Sequence, residues 1–342
     1  MRADPSVPVR RAGRRAGDPM TTPGPDTDSA VRLPAVAGTF YPADPARLGR
    51  MAAAMLAGAT QQAVAGTESG AGTESGASAG VGASAAPEVS AQPGTPLGIL
   101  VPHAGLAYSG LVAAAGWRLV PDGATVVILS TNHTAAWLHG VGTWEAGRWR
   151  TPLGDVAVDA GLASDILALG LPFGSDHAAH LGEHSIEVQL PLLVAAAPAA
   201  RIVPLAVGAG TGTGAVAAGE RLGTLLAQRR AAGASIVLAI STDMAHYPPA
   251  DACARVTQAL LPAILGLQPE DLARAEEAIG RGAGAGAGMA CGMCGIEPAV
   301  LGLAALRVMG ATSGVALASA TSADAGADPR RAVGYLAVAF GG

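Results

Sequence analysis

The chain of 342 residues contains no lysine, and aromatic residues make up only 3% of it. Hydrophobic residues account for 50%, so a core must be built from valine, leucine, isoleucine and alanine rather than from aromatic rings. The absence of lysine, together with 48 glycines, favours a GC-rich, bacterial genome. A net charge of −5 provides no basic surface for holding phosphates, so we expect no nucleic-acid partner.

Cysteines and long apolar runs are also scarce. The three cysteines, Cys253, Cys291 and Cys294, are too few for a disulfide framework and are typical of a reducing compartment. No stretch offers about 18 uninterrupted apolar residues, which argues against a membrane-spanning helix. The arginines near the start are not followed by the apolar segment of an export signal. We therefore predict a cytoplasmic protein without membrane association.

Two stretches lack the periodicity of folded structure. Residues 1–30 are rich in proline, arginine, aspartate and serine, and we expect them to form a disordered leader. Residues 57–95 contain the hexapeptide AGTESG twice in tandem and bury too little apolar surface to offset the entropy of ordering. The sequence thus predicts one domain over residues 31–342, interrupted by a disordered, low-complexity insertion at 57–95.

Strand-like and helix-like patterns alternate along this domain. Apolar runs predict strands over residues 97–101, 125–129, 201–207, 235–240 and 331–340. Helical patterns cover residues 46–56, 109–119, 159–169, 184–196, 214–231, 250–264, 269–280 and 298–309, and residues 147–158 are typical of a hairpin. Strands separated by helices favour βαβ units, so we expect a single α/β domain with a central, largely parallel sheet flanked by helices.

Three of the predicted strands are each followed by a histidine. His103 follows strand 97–101, His133 follows 125–129 and His246 follows 235–240. In open α/β sheets, ligands and catalytic groups collect at the carboxyl ends of the strands. A lone histidine is more often structural, but three at equivalent positions favour a metal-binding or proton-transfer site.

Two further side chains lie close to these histidines in the sequence or the predicted fold. Asp243 precedes His246 by three residues, where it can orient an imidazole, bind a ligand directly or cap a helix. Cys294 lies in a glycine-flanked turn before a helix, whose N-terminus would favour the thiolate, and is the natural additional ligand. We expect Cys291 to be structural.

A second histidine motif opens the predicted helix 184–196. His184 and Glu187 are three residues apart, so both can lie on one helix face. They can support the site or bind substrate, and a solvated first helical turn explains them equally well. We expect His139, His177 and His180 to lie at the surface.

Several segments together resemble the MEMO family, known in bacteria as AmmeMemoRadiSam system protein B. The matching segments are LPAVAGTFYPADP, GILVPHAGLAYSG, STNHT, EHSIEVQLPLL, ISTDMAHY, CGIEP and VGYLAVAF. They extend from residue 32 to the C-terminus around the 57–95 insertion. The combination is specific, whereas any one segment alone is not.

The resemblance implies a fold related to class III extradiol ring-cleaving dioxygenases, which are non-haem iron enzymes. It implies that His103, His133 and Cys294 bind the metal and that His246 is the acid–base histidine, with Asp243 beside it. Cys294 stands where those dioxygenases use a glutamate ligand. A thiolate favours a softer ion, so copper and zinc compete with iron(II).

These features predict a metal-dependent redox protein or oxidoreductase that holds one iron or copper ion and acts on an unidentified substrate. One alternative is a non-catalytic protein that binds a peptide or other small ligand in the same pocket. Another is a metal-buffering protein without turnover. The family's association with radical-SAM and AMMECR-type proteins implies a pathway link.

Overall fold

The computed structural model describes residues 30–68, 95–208, 214–281 and 289–342. The predicted leader, apart from Ala30, and residues 69–94 of the predicted insertion lie outside these ranges. Within them, no helix combines the length and the apolar character needed to cross a bilayer.

The strands and helices follow the alternation predicted from the sequence. Strands are Val31–Arg32 (β1), Gly98–Val101 (β2), Thr125–Thr131 (β3), Val141–Thr143 (β4), Arg148–Thr151 (β5), Gly154–Ala157 (β6), Phe173–Ser175 (β7), Arg201–Val207 (β8), Ile236–Ser241 (β9), Ser313–Thr321 (β10) and Gly334–Gly341 (β11). Helices are Pro45–Glu68 (α1), Leu106–Trp117 (α2), Ala160–Ala168 (α3), Ala178–Leu181 (α4), Leu190–Ala196 (α5), Ala215–Ala231 (α6), Ala250–Leu265 (α7), Pro269–Gly280 (α8) and Ile296–Val308 (α9).

The central sheet confirms the predicted single α/β domain. In the described part of the chain it has eight strands, in the order β10-β11-β2-β9-β3-β8-β4-β7. The four inner strands β2, β9, β3 and β8 are parallel, whereas β11 and β4 join this block antiparallel. The apolar run of β3 is buried on both faces: Val127 and Leu129 pack into one core layer, and Val126 and Ile128 into the other.

The register of the inner strands places their ends side by side. Ser241 of β9 pairs with Val101 of β2 on one side and with Ser130 of β3 on the other. The segments that carry His103, His133 and Asp243 therefore leave the sheet at the same edge. Two of the three histidines that follow these strands, His103 and His133, have ring nitrogens within 4.8 Å of each other.

The predicted hairpin at 147–158 forms as the antiparallel pair β5 and β6, and β1 adds to it in a separate small sheet. The short strands β4 and β7 and the long strand β10 were not predicted. The small and polar residues of β10 carry a weak apolar signal, and the strand forms because it pairs along the whole of β11. Helix α1 continues to Glu68 and does not end at residue 56.

The predicted helix 184–196 is wrong in its first half. A short helix, α4, precedes it, a 3-10 turn covers Glu187–Gln189, and regular helix starts only at Leu190. The carboxylate of Glu183 accepts the N–H groups of His184 and Ser185, at 2.9 and 3.0 Å. This side chain fixes a turn there, which competes with a regular helical first turn.

Candidate metal site

Three imidazoles converge at the carboxyl edge of the sheet. One ring nitrogen from each of His103, His133 and His184 lies within 4.8 Å of the others. The rings of His133 and His184 are stacked with centroids 4.8 Å apart, and His103 meets both of them edge-on. His103 is buried, whereas the His133 side chain is 31% exposed, so the cluster opens to solvent on one side.

Ser241, at the end of β9, determines which nitrogen of His103 faces the cluster. The Ser241 hydroxyl donates to the carbonyl oxygen of Ser185 at 2.7 Å, so its oxygen is left to accept the N–H of His103 Nδ1 at 3.0 Å. Nε2 of His103 therefore carries the lone pair that a metal ion would use. Burial lowers the pKa of His103 well below its ordinary value, and nearby His133 and His184 lower it further, so the ring is neutral near pH 7.

Glu183 orients the other two imidazoles. Its Oε1 lies 3.0 Å from Nδ1 of His133 and 3.2 Å from Nδ1 of His184, and its Oε2 accepts the His133 backbone N–H at 2.5 Å. Burial by itself would raise the pKa of Glu183, but the hydrogen bonds from His133 keep it well below its usual range. A buried, ionised carboxylate on both Nδ1 atoms leaves Nε2 of each ring free for a ligand.

Cys294 joins the cluster from the turn before α9. Its sulfur lies 3.3 Å from Nε2 of His103 and accepts the backbone N–H of Asp243 at 3.3 Å. Burial, followed by the nearby Asp243 carboxylate, raises the pKa of the thiol well above its ordinary value. The expected gain from the helix N-terminus is therefore outweighed, and the thiol is protonated near pH 7 when no metal is bound.

A close backbone approach holds Cys294 in this place. The N–H of the next residue, Gly295, donates to the Thr242 hydroxyl at 2.9 Å. A Cβ atom at Gly295 would lie 2.5 Å from the Thr242 side chain and 2.9 Å from that of Thr131. Only glycine lets this turn lie directly on the ends of β3 and β9.

Asp243 supports the His103 segment and does not cap a helix, since α7 begins only at Ala250. Its Oδ1 accepts the backbone N–H groups of His103 at 2.7 Å and of Ala104 at 3.2 Å. Burial raises the pKa of Asp243 to about 7, although these two hydrogen bonds oppose the rise.

His246 lies beside the cluster on the segment after β9. Its Nδ1 donates to the carbonyl oxygen of Met244 at 2.8 Å, which leaves Nε2 as its basic atom. Burial lowers its pKa. The sulfur of Cys291 lies 3.6 Å from the same Nδ1, and the carbonyl oxygen of Cys291 accepts the backbone N–H of His246 at 3.0 Å, so these contacts hold the two segments together.

Two expectations about the second histidine motif need correction. Glu187 is fully buried and is not part of a solvated first turn. Its carboxylate is bound by Arg32, by two backbone N–H groups and by the Tyr41 hydroxyl. His180 was expected at the surface but is also fully buried, where Nε2 contacts the carbonyl oxygen of Gly142 at 3.0 Å. His139 is exposed, as expected.

Two members of the site were missed in the sequence and a third was underrated. Glu183 and Ser241 carry the hydrogen bonds that orient the imidazoles, and the sequence predicts for His184 only a supporting, substrate-binding or solvated position. An acidic residue directly before a histidine, as in Glu183-His184, is the signal that could have been used. Ser241 offers no such signal. It reaches His103 only because its strand, β9, pairs with β2, and the sequence does not show that pairing.

The fold and the site together define a single-domain α/β protein with imidazole and thiol donors gathered at the ends of its parallel strands. Neutral imidazoles and a cysteine sulfur are the donors that transition-metal ions take, so the side chains present fit such an ion. The chain belongs to the MEMO family: the family described as Memo-like protein matches residues 32–339.

Individual relatives are similar in sequence over nearly the full length of the chain. A MEMO1 family protein of Methanopyrus kandleri is 32% identical and covers 90% of this chain and 98% of its own length. MEMO1 family proteins of Aquifex aeolicus and Ignicoccus hospitalis are 31% and 33% identical; each covers 91% of this chain and at least 98% of itself. A solved structure, uncharacterized protein JW3007 from Escherichia coli K12, is 15% identical and superposes with a TM-score of 0.47. The match covers 71% of this chain and 99% of that one. This similarity is too distant to inform the fold.

Proposed function

We propose that this protein binds one redox-active transition-metal ion, iron or copper, and acts as a redox protein or oxidoreductase. His103, His133 and Cys294 are the proposed ligands, with His184 as a fourth donor. The convergence of three imidazole nitrogens within 4.8 Å is the observation that carries the proposal. The 3.3 Å separation between Cys294 Sγ and His103 Nε2 adds a sulfur donor to the same place.

The hydrogen bonds around the cluster support a metal site in preference to a purely structural group of histidines. The Nδ1 atoms of His103, His133 and His184 each face an oxygen of Ser241 or Glu183, which leaves all three Nε2 atoms as donors. Metal-binding histidines are held in this way. A thiol among the donors favours a soft or borderline ion, so zinc is the competing candidate.

An iron or copper ion supplies electron transfer and activation of small oxidants when it is bound. The chain's own contribution to catalysis is His246. Its Nδ1–H is fixed by the Met244 carbonyl, so Nε2 can take a proton from a substrate or return one. The resemblance to ring-cleaving dioxygenases supports a catechol-like substrate as the first one to test.

Metal content tests the proposal directly. Mass spectrometry of anaerobically purified protein should find a near-stoichiometric metal in the wild type. We expect it to be lost in His103→Ala and Cys294→Ala and weakened in His184→Ala. The exposed His139 provides the control, because His139→Ala removes an imidazole outside the site. A wild type that stays metal-free after reconstitution with iron(II) or copper(I) contradicts the proposal.

Turnover separates the redox proposal from metal buffering. Oxygen consumption with a panel of catechols should depend on the metal and on His246. Stoichiometric metal without any oxygen consumption would favour buffering. Peptide binding that survives the loss of His103 and Cys294 would favour the non-catalytic alternative.

A further inference from the structure

The segment Ala30–Tyr41, here called the strap, crosses the turn that carries Glu183 and His184. It begins with β1, which pairs in parallel with β5 and so fixes the direction in which the strap enters. None of its side chains belongs to the cluster of donors. The strap nevertheless makes hydrogen bonds to residues on both sides of His184 in the chain.

Arg32 makes the first of these contacts. It is 1% exposed, and its guanidinium lies 4.5 Å over the ring of Trp149. Nε and Nη2 donate to the carbonyl oxygen of His180 at 3.1 and 3.0 Å, and Nη2 also donates to that of Glu183 at 2.6 Å. The planar fork thus holds both ends of the turn from His180 to Glu183, a geometry that a single ammonium group does not reproduce.

Glu187 makes the second contact, on the far side of His184. Its carboxylate pairs with Nη1 of Arg32. It also accepts the backbone N–H groups of Ala35 at 2.8 Å and Val36 at 2.9 Å, and the hydroxyl of Tyr41 at 2.5 Å. The stretch between Glu183 and Glu187 is therefore tied to the strap at both ends.

Phe40 makes the third contact, with the imidazole itself. Its ring centroid lies 4.7 Å from that of His184. Its carbonyl oxygen accepts the backbone N–H of Leu106 at 2.8 Å, in the segment that follows His103. The strap therefore touches two of the three segments that carry the clustered imidazoles.

We infer that the strap positions His184 against His103 and His133, and that Arg32 is the positioning residue. This inference rests on the proposed metal site. Arg32 fixes the backbone of Glu183, and Glu183 in turn holds two of the rings through their Nδ1 atoms. A displacement of about 1 Å in this turn is enough to loosen a site whose donors must stay within roughly 0.5 Å of their working positions.

The test compares Arg32→Gln with wild type and with His184→Ala, each loaded with cobalt(II). Arg32→Gln keeps every donor, yet we expect its visible absorption spectrum to move toward that of His184→Ala and its cobalt affinity to fall about 10- to 100-fold. Arg150→Gln is the matched control, because Arg150 lies on β5 with its side chain exposed against Asp155. A lower melting temperature with an unchanged cobalt spectrum would overturn the inference.

A second measurement needs no metal. In metal-free protein, the imidazole proton–nitrogen NMR signals of His184, assigned with His184→Ala, should shift in Arg32→Gln. Unchanged signals in a folded variant overturn the inference. If the signals shift but the wild type binds neither cobalt(II) nor, after reconstitution, iron(II) or copper(I), the positioning role stands and the proposed function fails.

A variant with a milder effect on folding covers the case in which Arg32→Gln does not fold. Phe40→Leu keeps the buried Arg32–Glu187 pair and removes only the ring that contacts His184. Its His184 signals and cobalt spectrum should change in the same direction as those of Arg32→Gln. Wild-type behaviour in both readouts contradicts a role for the strap.

Discussion

The sulfur of Cys294 lies 3.3 Å from Nε2 of His103, although the two residues are 191 positions apart in the chain. Because Nδ1 of His103 donates to Ser241, Nε2 carries a lone pair that can accept from the thiol, whose other acceptor is the carbonyl oxygen of Asp243 at 3.6 Å. A metal ion bound to both atoms would replace this hydrogen bond and displace the thiol proton.

Metal binding should therefore release a proton from Cys294. The pKa of this thiol is raised well above its ordinary value, so the group is protonated at pH 7 and must ionise on binding. Calorimetry in two buffers with different ionisation enthalpies gives the number of protons released. We expect about one proton to be released in the wild type and in His184→Ala, which keeps Cys294 and binds more weakly. No proton release would show that Cys294 does not bind as a thiolate.

Glu183→Gln should weaken metal binding about 10- to 100-fold without removing a ligand. The amide keeps the size of the side chain but loses the negative charge that faces Nδ1 of His133 and Nδ1 of His184. Competition with a chelator of known affinity measures the change. Glu145→Gln is the control, since Glu145 also pairs with a histidine, His177, outside the site. Equal losses in the two variants would argue against a specific role for Glu183.

Gly295→Ala should displace the Cys294 turn, because the new methyl group would collide with Thr242 and Thr131. We expect a destabilisation of about 1–3 kcal/mol and a weaker sulfur-to-cobalt absorption band. Chemical denaturation and the cobalt spectrum measure the two effects. Gly280→Ala is the control: Gly280 ends α8, and a Cβ there meets nothing within 4 Å. An unchanged band in Gly295→Ala would contradict the prediction.

His180 should make the protein less stable on acidification. Burial lowers its pKa to about 4, whereas the unfolded chain titrates near 6.5. Between these values the unfolded state takes up a proton that the folded state does not, so the free energy of unfolding falls as the pH falls from about 6.5 to about 4. This difference in pKa corresponds to roughly 3 kcal/mol.

The pH effect of His180 is isolated by comparing variants. Denaturation at several pH values should show a smaller loss of stability on acidification for His180→Gln than for the wild type. His139→Gln, at an exposed position, should follow the wild type. The same pH dependence in all three proteins would mean that His180 does not titrate as its burial predicts.

The sequence was sufficient for the fold class because apolar runs and helical periods are local signals. The parallel strands β3, β8 and β9 form within a residue or two of their predicted ranges. The strand β10 and the turn at Glu183 were not predictable in the same way. Each depends on a partner outside its own segment: β10 on the edge of the next strand, β11, and the turn on Arg32 of the strap, 151 residues before Glu183.

For the site, the sequence by itself determined that the segments carrying His103, His133 and His246 leave the sheet at a common edge, because parallel strands end on the same side. It also showed that a cysteine turn precedes a helix. Only the tertiary structure decided that His184 joins the cluster, that Glu183 and Ser241 orient the rings, and that Glu187 binds the strap. These roles depend on which nitrogen or oxygen a side chain presents, which is decided by long-range contacts that no local pattern encodes.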